Sequence, residues 1–144
     1  MTEIAFHFNL PDKTGYLCRL LRKAVARGAK VAVTGQQTQL DELDQALWSF
    51  SPTDFVPHCT AGSDPALVHA SPVVLGVAPL DSPHHDVLLN LAAEVPAGFE
   101  RFARVIEVVG EGVEDKAQSR RRWKHYQDRG YSIVRHDLAR KESA

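Results

Sequence analysis

Basic side chains and an indole recur at helical spacing near the C-terminal end of the chain. Basic residues outnumber acidic ones from Glu111 to Arg129, so the local field of this segment is positive. On a helix, three cations at i, i+4 and i+8, with an indole three residues after the second, share one face. The four residues are Lys116, Arg120, Lys124 and Trp123. Such a face suits an acidic peptide that carries an aromatic anchor.

The same helix face has two other interpretations. A solvated cationic face whose Trp123 and Tyr126 pack on a sheet is the more common fate of such a run. Cations combined with aromatic rings are also typical of single-stranded nucleic-acid binding. The formal net charge of the whole chain is -1, which argues weakly against nucleic acid as the partner.

Catalytic and metal-binding patterns are weak by comparison. His84, His85 and Asp86 form the best metal-like run, but adjacent histidines in a Pro-flanked turn need further ligands from elsewhere, so a solvated turn is favoured. His58 precedes Cys59, yet neighbours in an extended segment point apart, which favours a structural role over thiol catalysis. We therefore predict no catalytic residue, no metal site and no cofactor.

The start of the chain bears on nucleotide binding. The first strand-to-helix junction reads LPDKTGYL, which contains neither GxGxxG nor GxxxxGK followed by Ser or Thr. It lacks the glycines that let backbone amides surround a phosphate. Nucleotide binding is therefore disfavoured. A direct single-strand binder or a nucleotide-dependent, helicase-like protein stays the second hypothesis.

Length and composition indicate one soluble domain. A chain of 144 residues with 44% hydrophobic content suffices for a single core, which we place at residues 1–144 with a frayed tail over residues 137–144. The 2 cysteines lack the spacing of a zinc site, and the chain has neither a signal peptide nor an apolar run of membrane-spanning length. We expect a cytoplasmic protein that does not bind a membrane.

Strand and helix patterns alternate along the chain. Strands are predicted at Ile4–Asn9, Lys30–Thr34, Val73–Val77, Val87–Leu91, Ile106–Val109 and Tyr131–His136. Helices are predicted at Tyr16–Ala24, Thr38–Trp48 and Val113–Arg129. The segment from Ser49 to Ser71 is expected to be mostly loop, with at most a short strand at Phe55 and Val56. This alternation predicts an α/β, Rossmann-like three-layer fold with a largely parallel sheet flanked by helices.

Several segments together resemble the chi subunit family of bacterial DNA polymerase III. They are LDELDQALWSF at Leu40–Phe50, FVPH at Phe55–His58 with Ala61 and Gly62 following, VLLNL, VIEVVG, and the basic helix that ends in WKHYQDRGY. Their order and spacing fit from Ile4 to His136. The resemblance implies a Rossmann-like accessory subunit without catalytic activity. It also implies that the chain pairs with the psi subunit and, through psi, joins the clamp loader of the replicative polymerase.

The resemblance further implies a site for the C-terminal tail of single-stranded DNA-binding protein, so that DNA is reached only indirectly. That tail is acidic and ends in a Pro-Phe pair, and a receptor for it needs cations near an apolar pocket. Carried over by position, the site residues are Trp48, Phe55, Lys116, Arg120, Trp123 and Lys124. Trp48 and Phe55 are expected to border the pocket beside Arg120, and psi is expected to bind a different face.

Overall fold

The computed structural model describes residues 2–51, 55–79 and 82–141. These residues form a sheet of 7 strands, all parallel, in the order β3-β4-β2-β5-β6-β1-β7. The strands are β1 (Glu3–Leu10), β2 (Val31–Thr34), β3 (His58–Thr60), β4 (Val73–Gly76), β5 (Val87–Asn90), β6 (Arg104–Gly110) and β7 (Ile133–Asp137). The two longest strands, β1 and β6, lie side by side and form the floor beneath the helix that follows β6.

Helices cover both faces of the sheet. They are α1 (Lys13–Ala26), α2 (Gln37–Ser49), α3 (Pro65–Ala70), α4 (Val113–Asp128) and α5 (Leu138–Lys141), with a 3-10 turn at Phe99–Arg101. On one face, Leu21 of α1 and Leu43 of α2 pack against Val33. On the other face, Tyr126 of α4 packs against Val105. Successive strand side chains point to opposite faces, so the sheet is the middle layer of a three-layer fold.

The handedness of the crossovers decides which helix lies on which face. The connections through α1 and α2 step toward β3 in the strand order, whereas those through α3 and α4 step toward β7. Crossovers between parallel strands are right-handed in nearly all proteins, so opposite steps place their helices on opposite faces. Helices α1 and α2 therefore share one face, and α4 lies on the other.

The predicted α/β fold is confirmed, and the structure corrects two segments. Ser49–Ser71 contains a helix that the sequence pattern does not predict, α3, and its short strand, β3, follows Phe55 and Val56 instead of including them. A turn-like sequence conceals α3, which Asp64 caps by accepting a hydrogen bond from the backbone N–H of Ala66.

The C-terminal tail is the second correction. The chain does not fray at residue 137, because α5 follows β7 directly and Leu138 packs against the core. Residues 142–144 lie outside the described part of the chain. Among the helices of the described residues, none is long and apolar enough to cross a membrane.

Candidate functional site

A pocket of about 510 Å³ opens between α4 and the carboxyl ends of β1 and β6. Its lining residues are Phe6, Phe8, Asn9, Val109, Lys116, Ser119, Arg120, Trp123 and Arg135. We call it the α4 pocket. Its volume falls in the range that takes a small ligand or one large side chain with its neighbours.

Cations border the α4 pocket without matching acids. Lys116 and Arg120 come from α4 and Arg135 from β7, and the lining contains no carboxylate. Within the described part of the chain, none of these three side chains takes part in an ion pair. Because nothing there neutralises them, the pocket presents a positive field to solvent.

Aromatic rings form the apolar wall of the α4 pocket. The ring of Trp123 contacts that of Phe6, with centroids 5.0 Å apart. The guanidinium carbon of Arg135 lies 5.4 Å from the ring centroid of Phe8 and 5.7 Å from that of Trp123. Arg135 is thus held against two rings by cation–π contacts. The pocket combines an apolar recess with cations, as an acidic peptide with an aromatic end requires.

A buried polar network attaches α4 to the sheet beneath the pocket. Glu107 of β6 is fully buried, and its carboxylate accepts hydrogen bonds from Arg122 Nε at 2.8 Å and from the Tyr126 hydroxyl at 2.7 Å. Asn90 of β5 donates to the same carboxylate. Arg122 and Tyr126 lie one turn apart, so both point from the same face of α4 toward the sheet. Lys116 and Arg120 therefore lie on the face of α4 that borders the pocket.

The ionisation of this network follows from its burial. Burial raises the pKa of the Glu107 carboxyl, while Arg122, Tyr126 and Asn90 act in the opposite direction. Burial and the neighbouring Glu107 also raise the pKa of the Tyr126 phenol, so its hydroxyl stays protonated and donates to Glu107. The network orients the helix and lies outside the pocket lining.

Lys124 lies on the same helix but outside the α4 pocket. Its side chain is exposed, and its Nζ lies 3.4 Å from a carboxylate oxygen of Asp128. An exposed pair of this kind contributes little energy. Lys124 can act on an approaching anion only at longer range than Lys116 and Arg120.

Trp48 and Phe55 lie elsewhere, in a cluster that we call the aromatic patch. Their ring centroids are 4.9 Å apart, and the side chains are 63% and 52% exposed. His58 lies beneath them, with its ring 5.3 Å from Trp48. Both ring nitrogens of His58 face acceptors, a carboxylate oxygen of Asp44 at 2.9 Å and the Val56 carbonyl at 2.7 Å. The imidazole is thereby fixed as the base of an exposed aromatic surface.

The expectation that Trp48 and Phe55 border the cationic pocket beside Arg120 is wrong. Trp48 lies in the last turn of α2, on the face that α1 and α2 cover and at the amino ends of the strands. The α4 pocket lies on the other face, at the carboxyl ends. The aromatic patch adjoins β3, which is four strand positions from β6 and so roughly 19 Å away at the usual strand spacing. The right-handed crossovers of α2 and α4 impose this separation.

The two His-containing runs have structural roles. His84 is buried and its Nε2 contacts the Ser71 carbonyl at 2.6 Å, so the prediction of a solvated turn is wrong for this residue. Cys59 points away from His58 into a small cluster with Val68 and Val74, as predicted for neighbours in an extended segment. Among the described residues, no group of three or more metal-ligating side chains converges.

One of the crevices where α/β sheets can take nucleotides is filled by the chain itself. Such crevices lie between neighbouring strands whose connections leave to opposite faces; the carboxyl ends of β2 and β5 form one, and those of β6 and β1, where the α4 pocket opens, form another. The first of them is the filled one. Gln39 occupies this point: its Nε2 donates to the Leu91 carbonyl and its Oε1 accepts from the Gln36 N–H, both at 2.8 Å. A Cβ added at Gly35 would lie 2.9 Å from the Gln39 side chain. The packing therefore disfavours a nucleotide at this position.

Sequence reasoning missed Arg135 and the Glu107 network. A glutamate within the apolar run VIEVVG is a readable signal, because a carboxylate in a buried strand needs partners. Arg135 gives no such signal. Its place at the pocket follows from the register in which it lies opposite Phe6 on β1, and that register is not evident in the sequence.

Comparisons with known proteins agree on one family. The family model described as DNA polymerase III chi subunit, HolC, matches residues 1–134. The chain is similar to the DNA polymerase III subunit chi of Pseudomonas aeruginosa, with 36% identity over 124 residues, which cover 85% of this chain and 84% of that protein. It is also similar to the DNA polymerase III subunit chi of Haemophilus influenzae, with 28% identity over 118 residues and 81% of each chain covered.

Proposed function

Because the chain belongs to the DNA polymerase III chi subunit family, we propose that it is a non-catalytic adaptor of the replicative polymerase. It binds the acidic C-terminal tail of single-stranded DNA-binding protein in the α4 pocket. Through the psi subunit it connects this tail to the clamp loader. Its place of action is the cytoplasm, and it reaches DNA only through its partners.

The α4 pocket carries this proposal. Arg120 and Lys116 stand beside an apolar wall that contains Phe8 and Trp123, and no acidic residue lines the pocket. A tail that ends in Pro-Phe offers a ring for the recess and a carboxylate for a guanidinium, while its aspartates meet the surrounding cations. The attraction for an acidic tail is confined to this pocket, because the chain as a whole carries a formal net charge of -1.

Affinity is expected to be modest and sensitive to salt. The cations are partly or fully exposed, so water and ions screen them with a Debye length of roughly 10 Å at 0.1 M salt. The apolar contact of the ring does not depend on salt in this way. Binding therefore weakens but does not vanish as ionic strength rises.

Replacing Arg120 tests the pocket directly. Arg120→Ala removes a charge-assisted hydrogen bond, and we expect the affinity for a synthetic acidic tail peptide to fall about tenfold in isothermal titration calorimetry. Lys124→Ala is the matched control, because Lys124 is on the same helix but outside the lining and already paired with Asp128. It should change the affinity by less than about twofold.

Two outcomes would count against the proposal. Equal affinities of the wild-type chain and Arg120→Ala would show that the tail does not bind in the α4 pocket. Labelled single-stranded DNA provides the competing test: strong binding at low salt without a second protein, lost in Arg120→Ala, would favour direct nucleic-acid binding.

The aromatic patch supports the second half of the proposal, the contact with psi. Trp48 and Phe55 are large, in contact with each other and more than half exposed, and a protein surface rarely leaves such a pair uncovered without a partner. Such rings anchor protein interfaces. The patch lies on the opposite face from the α4 pocket, so psi and the tail can bind at once. Joining two partners in this way raises the local concentration of each.

A further inference from the structure

The α4 pocket contains two guanidinium groups, and they come from different elements. Arg120 projects from α4, and Arg135 projects from β7, the edge strand of the sheet. Arg135 lies opposite Phe6 in the register of β1 and β7, so its side chain points to the face that α4 covers. A ligand in the pocket therefore meets one guanidinium from each side.

Arg135 is held in place before any ligand arrives. Its guanidinium lies over the rings of Phe8 and Trp123, at 5.4 and 5.7 Å, and no carboxylate of the described residues forms an ion pair with it. Cation–π contacts with two rings restrict the long side chain, and they leave its N–H groups available to donate to a carboxylate. The Arg135 side chain then loses less rotamer entropy when a ligand binds, which favours affinity.

We propose that Arg135 binds the terminal carboxylate of the acidic tail together with Arg120, so that two guanidinium groups hold one carboxylate. This inference rests on the proposed function of the α4 pocket and adds a residue and a specificity to it. The terminal aromatic ring enters beside Trp123, which places the carboxylate of that same residue near the Arg135 guanidinium. The pocket consequently selects a free C-terminus, and an internal acidic segment of equal charge binds less tightly.

Free-acid and C-terminally amidated peptides of the same sequence separate this role from simple packing. For the wild-type chain, amidation should weaken binding at least about tenfold, because it removes charge-assisted hydrogen bonds. In Arg135→Gln the same amidation should lower the affinity less than about threefold, since only Arg120 still binds the carboxylate. Arg135→Lys, which keeps the charge but loses the planar guanidinium and its paired N–H donors, should lie between them.

Lys124→Gln is the matched control, because it removes the same charge from the helix that borders the pocket without touching the pocket lining. Its amidation penalty should stay at the wild-type value. An unchanged penalty in Arg135→Gln, with wild-type folding by circular dichroism, would reduce Arg135 to a packing residue and overturn the inference. Tight wild-type binding without any amidation penalty would do the same and leave the proposed function standing. Failure of the wild-type chain to bind either peptide would remove the proposed function and this inference with it.

Discussion

At the scale of single residues, Glu107 and Arg122 determine where the pocket-lining side chains of α4 stand. Both side chains are almost fully removed from solvent, and their contact at 2.8 Å is supported by Tyr126. A buried charge pair is costly to form, but once formed it is more costly to break from one side, because the other charge is left without a partner. The pair therefore fixes the rotation of α4 and with it the direction of Arg120.

Removing the charge of Arg122 should destabilise the fold. In Arg122→Met the Glu107 carboxylate loses its cationic partner while it remains buried, so we expect the free energy of unfolding to fall by about 3–5 kcal/mol. Urea denaturation followed by circular dichroism measures this change. The neighbouring Arg121→Met is the control: Arg121 is exposed, and its replacement should stay within about 0.5 kcal/mol of wild type. Equal stability of the two variants would contradict the structural role of the pair.

At the scale of elements, periodicity in the sequence predicts most helices and strands, because apolar side chains repeat with the period of each. It misses α3, where Asp64 and Pro65 read equally well as a turn and as the start of a helix. It also cannot assign Trp48 and Arg120 to a face. That assignment depends on the order of the strands, since the step direction of each crossover decides the face on which its helix lies.

The aromatic patch, at the end of α2 and before β3, should bind psi independently of α4. Trp48→Ala removes the larger ring of the aromatic patch, and we expect it to weaken psi binding by about tenfold or more, as loss of an interface tryptophan commonly does. Leu67→Ala is the control, because Leu67 is a similarly exposed apolar residue on α3. Surface plasmon resonance with immobilised psi measures both. Wild-type affinity of Trp48→Ala for psi would remove the aromatic patch from this role.

At the scale of the whole molecule, the sheet separates the two surfaces that we propose as docking sites. The α4 pocket and the aromatic patch lie on opposite faces and at opposite ends of the strands. The resemblance in the sequence places in one site side chains that the fold divides between two surfaces. Only the three-dimensional order of the strands separates them.

The most direct test of this two-surface account uses the 2 tryptophans of the chain, one of which lies in each surface. In a ¹⁵N-labelled sample the two indole N–H signals are resolved and assigned with Trp48→Phe. Addition of the acidic tail peptide should shift the Trp123 signal and leave that of Trp48 in place, whereas addition of psi should do the reverse. A tail peptide that shifts Trp48 while the Trp123 signal stays unchanged would contradict the account.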